Sequence, residues 1–176
     1  MTTALIPVIT TKGLAAVFNA QNDGVAAKIT HIGLGEHGRT PSKNELALTS
    51  ERMRVPIADG QRIDDHQIHV TALADGETEF WVKEIGFFLE DGTMLAVWSA
   101  TQPLAYKSAM VPLLLGFDLK LEALPAQSVT VVGTGANLSL AAWGEQFTAN
   151  SAAAVANMAR HVELLFRFND LEKEVS

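Results

Sequence analysis

The most constraining stretch of this chain is residues 76–107, GETEFWVKEIGFFLEDGTMLAVWSATQPLAYK, where two runs rich in aromatic and β-branched residues flank Asp91-Gly92. An Asp-Gly pair between such runs predicts a β-hairpin with a two-residue type I′ turn, because that turn needs positive φ at its central positions. The turn sets the register. Counting outward pairs Leu89 with Met94, Phe87 with Ala96, Ile85 with Trp98 and Lys83 with Ala100 on one face. The other face pairs Phe88 with Leu95, Gly86 with Val97 and Glu84 with Ser99. Both faces are largely apolar, so the ribbon is expected between two layers, the second being a sheet, a helix or a neighbouring subunit. Lys83 and Glu84 are the exceptions. Adjacent strand residues point to opposite faces, so they cannot pair with each other. Lys83 is expected to lay its stem along apolar surface and Glu84 to lie near an edge.

The remaining strands read more simply. Residues 5–9 predict a short strand interrupted by Pro7, which suits an edge. Thr10 or Thr11 caps a helix carrying Leu14, Val17 and Phe18 at helical spacing, and Asn22-Asp23-Gly24 ends it. Residues 25–34 alternate as a strand, with Ile29, His31 and Gly33 on one side and Ile32 and Leu34 on the other. Residues 46–56 fit a short helix or a strand, and Asp59-Gly60 predicts a turn. Residues 67–73 alternate again. Residues 113–122, LLLGFDLKLE, have the cleanest period of two in the chain, with Leu115, Phe117, Leu119 and Leu121 on one face. Residues 129–132 predict a last strand.

From Leu138 the period changes. Val155, Met158, Val162 and Leu165 follow the three-then-four spacing of a coiled-coil seam, and Phe168, Leu171 and Val175 continue it after one three-residue slip. Arg160, Glu163, Arg167, Asp170 and Lys173 occupy the opposite side. Such a helix needs a partner: it folds back on its own sheet, or three copies pack along a common axis.

Several chemistries are excluded or weak. A formal net charge of -7 argues against a phosphate backbone as partner. Residues 33–38, GLGEHG, match G-x-G-x-x-G after a strand, but Arg39-Thr40-Pro41 follows where a pyrophosphate-binding helix would have to open. A glycine turn with positive φ is the expected reading. His66 and His69 stand three apart on a strand and so face opposite ways, which disfavours a shared metal. His31 is expected to be structural. There is no cysteine, no G-x-S-x-G elbow, no phosphate-binding G-x-x-x-x-G-K-[ST] loop and no H-E-x-x-H helix, and no carboxylate pair reads as an acid and base. No enzyme, cofactor, metal, nucleic acid or membrane is expected. Residues 1–13 lack a basic leader and no apolar run approaches the ~18 residues of a membrane span, so synthesis in a cytoplasm as a soluble product is the expectation.

The run from Phe80 to Lys107 is similar to the N-terminal domain of phage tail-collar fibre proteins. That family carries an aromatic-rich strand, a charged pair followed by a hydrophobic residue and glycine, an acidic-glycine turn, a small-apolar strand, then Tyr-Lys. VITTKGLAAV resembles its threonine-threonine-x-Gly opening, ITHIGLGEHG its glycine-bearing loop, and LTSERMR its short segment ending in arginine, over roughly residues 5–140 in the family's order. The resemblance implies a trimeric virion protein that joins a fibre to the tail or baseplate, made in the host cytoplasm, with other tail, baseplate or fibre proteins as partners. With this chain ending at Ser176, a short fibre or an adaptor docking on another virion protein is expected.

The combined expectation is an α+β chain: a mostly antiparallel sheet domain over residues 1–140 with a short N-terminal helix, then an oligomerising helix over 141–176. Its hairpin is built on Trp81, Ile85, Phe87, Asp91, Gly92 and Trp98, and its seam on Val155, Met158, Val162, Leu165, Phe168, Leu171 and Val175. The alternative is a small carbohydrate- or ligand-binding domain using Trp81 or Trp143.

Overall fold

The computed structural model describes residues 5–121, 124, 127–135 and 138–175, with the backbone alone for 138–148, 174 and 175. By internal packing the chain divides into residues 1–138 and 139–176. In order, the first unit contains β1 (Val8–Ile9), α1 (Thr11–Asn22), β2 (Ala27–Gly35), β3 (Glu51–Arg62), β4 (Gln67–Ala74) and β5 (Phe80–Val82). It continues with β6 (Glu84–Leu89), β7 (Met94–Ser99), β8 (Ala105–Lys107), β9 (Leu113–Lys120) and β10 (Val129–Val131). The second is essentially α2 (Leu138–Val175). The fold is α+β with a mostly antiparallel sheet and one helix towards each end, as expected.

The main sheet runs β1-β7-β6-β2-β3-β4-β9, with β10 added parallel to β2, while β5 and β8 pair separately. It curls strongly. Phe87 on β6 and Phe117 on β9, at opposite sides of the strand order, meet edge to face with ring centroids 6.5 Å apart. Residues 5–9 link the outer strands: Val8 pairs with Val97 of β7, whereas the Leu5 amide donates to Asp118 of β9 at 2.9 Å. The curled inner face therefore encloses one core, in which Ile29, Ile32, Leu34, Ile57, Val70, Ile85 and Leu119 are fully buried. At roughly 1.5–3 kcal/mol per large apolar side chain, this core dominates the stability of the unit. α1 closes it with Val17, fully buried, and the half-buried Leu14; Phe18, expected beside them, is exposed.

The hairpin forms at the expected place with a different turn. Glu84↔Ser99, Ile85↔Trp98, Gly86↔Val97 and Phe87↔Ala96 pair as read, but Phe88 pairs with Met94, so Leu95 is the extra residue of a bulge. The Gly92 amide donates to the Leu89 carbonyl at 3.0 Å, and Gly92 alone, with φ +83, takes the left-handed conformation. This is a three-residue loop closing a bulged strand, not type I′. Asp91 holds it with its carboxylate, accepting from the amide and hydroxyl of Thr93 at 2.8 and 3.0 Å. The bulge has a use. It aims the Leu95 carbonyl at the start of α1, where the Thr10 amide takes it at 2.9 Å, while the Thr10 hydroxyl donates to Met94 O at 2.5 Å and accepts from the Gly13 amide at 2.9 Å.

α1 crosses the bulge so closely that a Cβ on Gly13 would stand 2.5 Å from Leu95 Cα and 2.6 Å from its carbonyl oxygen. Alanine normally stabilises a helix interior by about 1 kcal/mol over glycine. Here Gly13→Ala is expected to reverse that sign and cost about 1–3 kcal/mol by forcing helix and strand apart. A urea midpoint equal to or above that of the parent would show that the approach is not this tight.

Both faces of the ribbon are covered within the chain. Ile85, Phe87 and Leu89 face the main core, while Phe88, Met94 and Val97 form a second cluster with Leu48 and Val8. The guanidinium of Arg54 lies 3.6 Å over the Phe88 ring and is held by Glu51 through two hydrogen bonds of 2.7 and 2.8 Å. The second layer is thus the 36–50 loop, β1 and an arginine, not a further sheet or subunit.

Other expectations shift with the tertiary pairing. Residues 51–56 are strand, and Asp59-Gly60 continues β3 instead of turning. Pro56 marks a handover: His31↔Pro56 is the last pair of β3 with β2, beyond which β3 pairs with β4, and β10 takes the vacated edge of β2 at residues 27–29. A residue without an N–H is tolerated in a strand where the ladder changes partner. A register shift between Ile29 and His31 turns His31 outward and leaves Ile29 and Ile32 both in the core. β9 alternates as read.

Candidate functional site

The loop between β2 and β3 covers residues 36–50 without helix or strand, and loops of this length in a packed domain are commonly functional. What holds it is Glu84. Its side chain, expected near an edge, is fully buried. The carboxylate accepts the amides of Thr49 at 3.0 Å and Ser50 at 2.7 Å and an ion-paired hydrogen bond from Arg39 Nη1. Arg39 spans the loop, donating also to Glu45. A buried carboxylate is tolerated when it is paired and hydrogen-bonded, and these three donors reach both of its oxygens.

The electrostatics of the clasp follow from its contacts. Burial pushes the Glu45 carboxyl up, but Arg39 and the Ser42 amide outweigh it and hold the group below the usual carboxylate range. Burial opposes the charge on Arg39, and its two carboxylates more than restore it, raising its pKa. Glu36, at the start of the loop, is held below the usual range by its hydrogen bond to Arg52. GLGEHG belongs to this clasp: Gly33 and Gly35 are strand residues of β2, and no glycine of the run has positive φ. A Cβ at Gly35 would collide with the Glu84 carboxylate and the Ser50 carbonyl. Gly35 is glycine because backbone and buried charge meet there, a different reason from the turn expected. No helix follows Gly38.

Beside the clasp stands the β5–β8 ribbon, in which Phe80, Trp81 and Val82 pair with Lys107, Tyr106 and Ala105. Trp81, grouped with the hairpin from the sequence, lies on this separate ribbon. Phe80 and Val82 point inward, and Trp81 and Tyr106 outward. The outward pair is 53% and 43% exposed, with ring centroids 4.8 Å apart at 52°. Lys107 points inward and is fully buried. Its ammonium donates to the carbonyls of Gly76, at 2.8 Å, and Ser108, and so ties the 75–79 turn to β8. Sequence reasoning missed Arg39, Glu45 and Lys107. The signal available was the charged pair Lys83-Glu84 inside an apolar run.

α2 is one continuous helix of 38 residues, and the large apolar side chains described along it are exposed. Val155, Met158, Val162, Leu165, Phe168 and Leu171 are between 49% and 68% exposed; the side chain of Val175, like that of Trp143, lies outside the described residues. Leu164 and Phe166 are exposed as well. The three-residue slip rotates the apolar face, so that Leu164, Phe168 and Leu171 carry the spacing onward. Arg167 pairs with Glu163 at 2.7 Å along the helix.

Among the described residues no group of three or more His, Asp or Glu side chains is placed to hold a metal. His69 bonds Asp118 across β4 and β9 at 2.6 Å, and no described helix is long and apolar enough to cross a membrane. The buried charges Glu84 and Lys107 fasten backbone, and exposed apolar side chains recur along the described part of α2. Residues 1–112 match the model of the N-terminal region of phage tail-collar fibre proteins. The chain belongs to that family and is a structural component of a phage tail. Comparison with curated proteins and with solved structures gives no match.

Proposed function

We propose that this chain works as a homotrimeric tail fibre or fibre adaptor: residues 1–140 attach to the tail or baseplate, and the helix over 141–176 brings three copies together. The observation that carries the reading is the apolar side of α2, six seam residues each about half or more exposed on one helix. A helix in water gains little from propensity alone and is stabilised mainly by packing its apolar face. At roughly 25 cal/mol per Å² of apolar surface removed from water, packing these side chains against copies of themselves supplies that stabilisation. A patch of this kind marks an association surface. The hairpin lends no support, since both of its faces are already buried in its own chain.

Sedimentation equilibrium at micromolar concentration is expected to give three times the chain mass for the whole protein and a monomer for a version ending before residue 145. A whole chain that stays monomeric counts against the proposal.

A further inference from the structure

Trp81 and Tyr106 do not stand on a flat surface. Together with Glu36, His37, Glu79 and Lys83 they line an open cleft between the clasped loop and the β5–β8 ribbon. Its walls are fixed in advance: Glu84 and Arg39 hold the loop, and Lys107 holds the ribbon. Its polar groups are placed around the rings. Glu36 engages Arg52, and Glu79 accepts the Ala109 amide at 3.1 Å. The Lys83 ammonium, the His37 ring, the Trp81 indole N–H and the Tyr106 hydroxyl take part in none of the hydrogen bonds among the described residues, although Lys83 is close enough to Glu36 to favour its charge.

We propose that this cleft binds a pyranose sugar, stacked on Trp81 and Tyr106 and hydrogen-bonded by Lys83, His37 and Glu79. The axial C–H groups of a pyranose carry partial positive charge and suit the negative face of an aromatic ring. Two rings inclined to one another fit a puckered ring better than a planar base. The rim offers donors and carboxylate acceptors side by side, and hydroxyl groups both donate and accept. A proline-rich segment, the usual polypeptide occupant of an aromatic-lined groove, lacks an N–H at every proline and offers Glu36 and Glu79 fewer donors than a ring of hydroxyl groups does. A phosphate ligand meets the same two carboxylates. Apolar ring faces with a few convergent polar groups in a preformed recess are what small-molecule recognition requires.

The test uses the full chain labelled with ¹⁵N, whose three tryptophans give three indole N–H resonances, that of Trp81 assigned by Trp81→Phe. The probes are the methyl glycosides of glucose, galactose, mannose and N-acetylglucosamine and, separately, a proline-rich peptide. The Trp81 resonance is expected to move saturably with at least one glycoside in the millimolar range, while Trp98 and Trp143 stay. Tyr106→Ala is expected to weaken that binding at least about tenfold, equivalent to ~1.4 kcal/mol, while a cooperative urea transition is kept, and Lys83→Gln to weaken it less. No saturable shift with any glycoside overturns the proposal, as does a shift with the peptide alone, or undiminished affinity in both variants. The outcome does not depend on how many copies assemble, so it fails or stands separately from the trimer.

Discussion

Glu84→Ala is expected to destabilise the sheet unit by about 3–5 kcal/mol, the loss typical of removing one partner from a buried ion pair. The carboxylate is wholly shielded from water and receives three donors, the Thr49 and Ser50 amides and Arg39. Alanine strands the two amides and takes one of Arg39's two carboxylates. Arg39 keeps Glu45, but its side chain is only 17% exposed, so its charge regains little hydration. The loop carries Leu48 into the cluster over Phe88, and its release should uncover that side of the hairpin as well. Urea unfolding at fixed protein concentration should show a lower midpoint, and trypsin should cleave at Arg39 and Lys43 faster than in the parent. Glu45→Ala, which leaves Glu84 in place, is expected to cost about 1 kcal/mol. Equal effects from the two substitutions, or a loss below about 1 kcal/mol for Glu84→Ala, would contradict the central role given to Glu84.

The second large effect is expected from Val162→Asp combined with Leu165→Asp. In a packed seam each of these carboxylates would be enclosed without a counter-charge, at several kcal/mol apiece. Three chains multiply that penalty, which exceeds what the seam can supply. The mass by sedimentation should fall to that of one chain, part of the helical circular dichroism should be lost, and the near-ultraviolet signal of the aromatic hairpin should persist. Val162 and Leu165 lie on α2, outside the 1–138 unit, so the two readouts separate. An unchanged oligomer mass would refute this seam.

How much of this could be read in advance depends on how local each cause is. The Asp91-Gly92 turn was visible because its residues act on their own backbone. The turn type was missed by a single residue, because Leu95 is bulged to present its carbonyl to Thr10, 85 positions earlier. Strand β9 was legible since its alternation directly reflects one buried face. β3 was ambiguous because Pro56 breaks the local pattern, and only its change of partner makes that harmless. Glu84 looked like a charge near an edge. Its partners come from positions 39, 49 and 50, and the charged pair in its apolar run marks a buried charge without telling where those partners lie.

Residue order alone settled the alternation of β9, the start and stop of α1, the site of the hairpin and the apolar spacing along the C-terminal helix, because each follows from backbone geometry repeating over a few residues. The curl of the sheet, the bulge at Leu95, the burial of Glu84 and the cleft at Trp81 were decided only on folding. Each joins groups from distant parts of the chain, and removing those groups from water together is what makes a buried charge, a crowded glycine or a shifted register the stable arrangement.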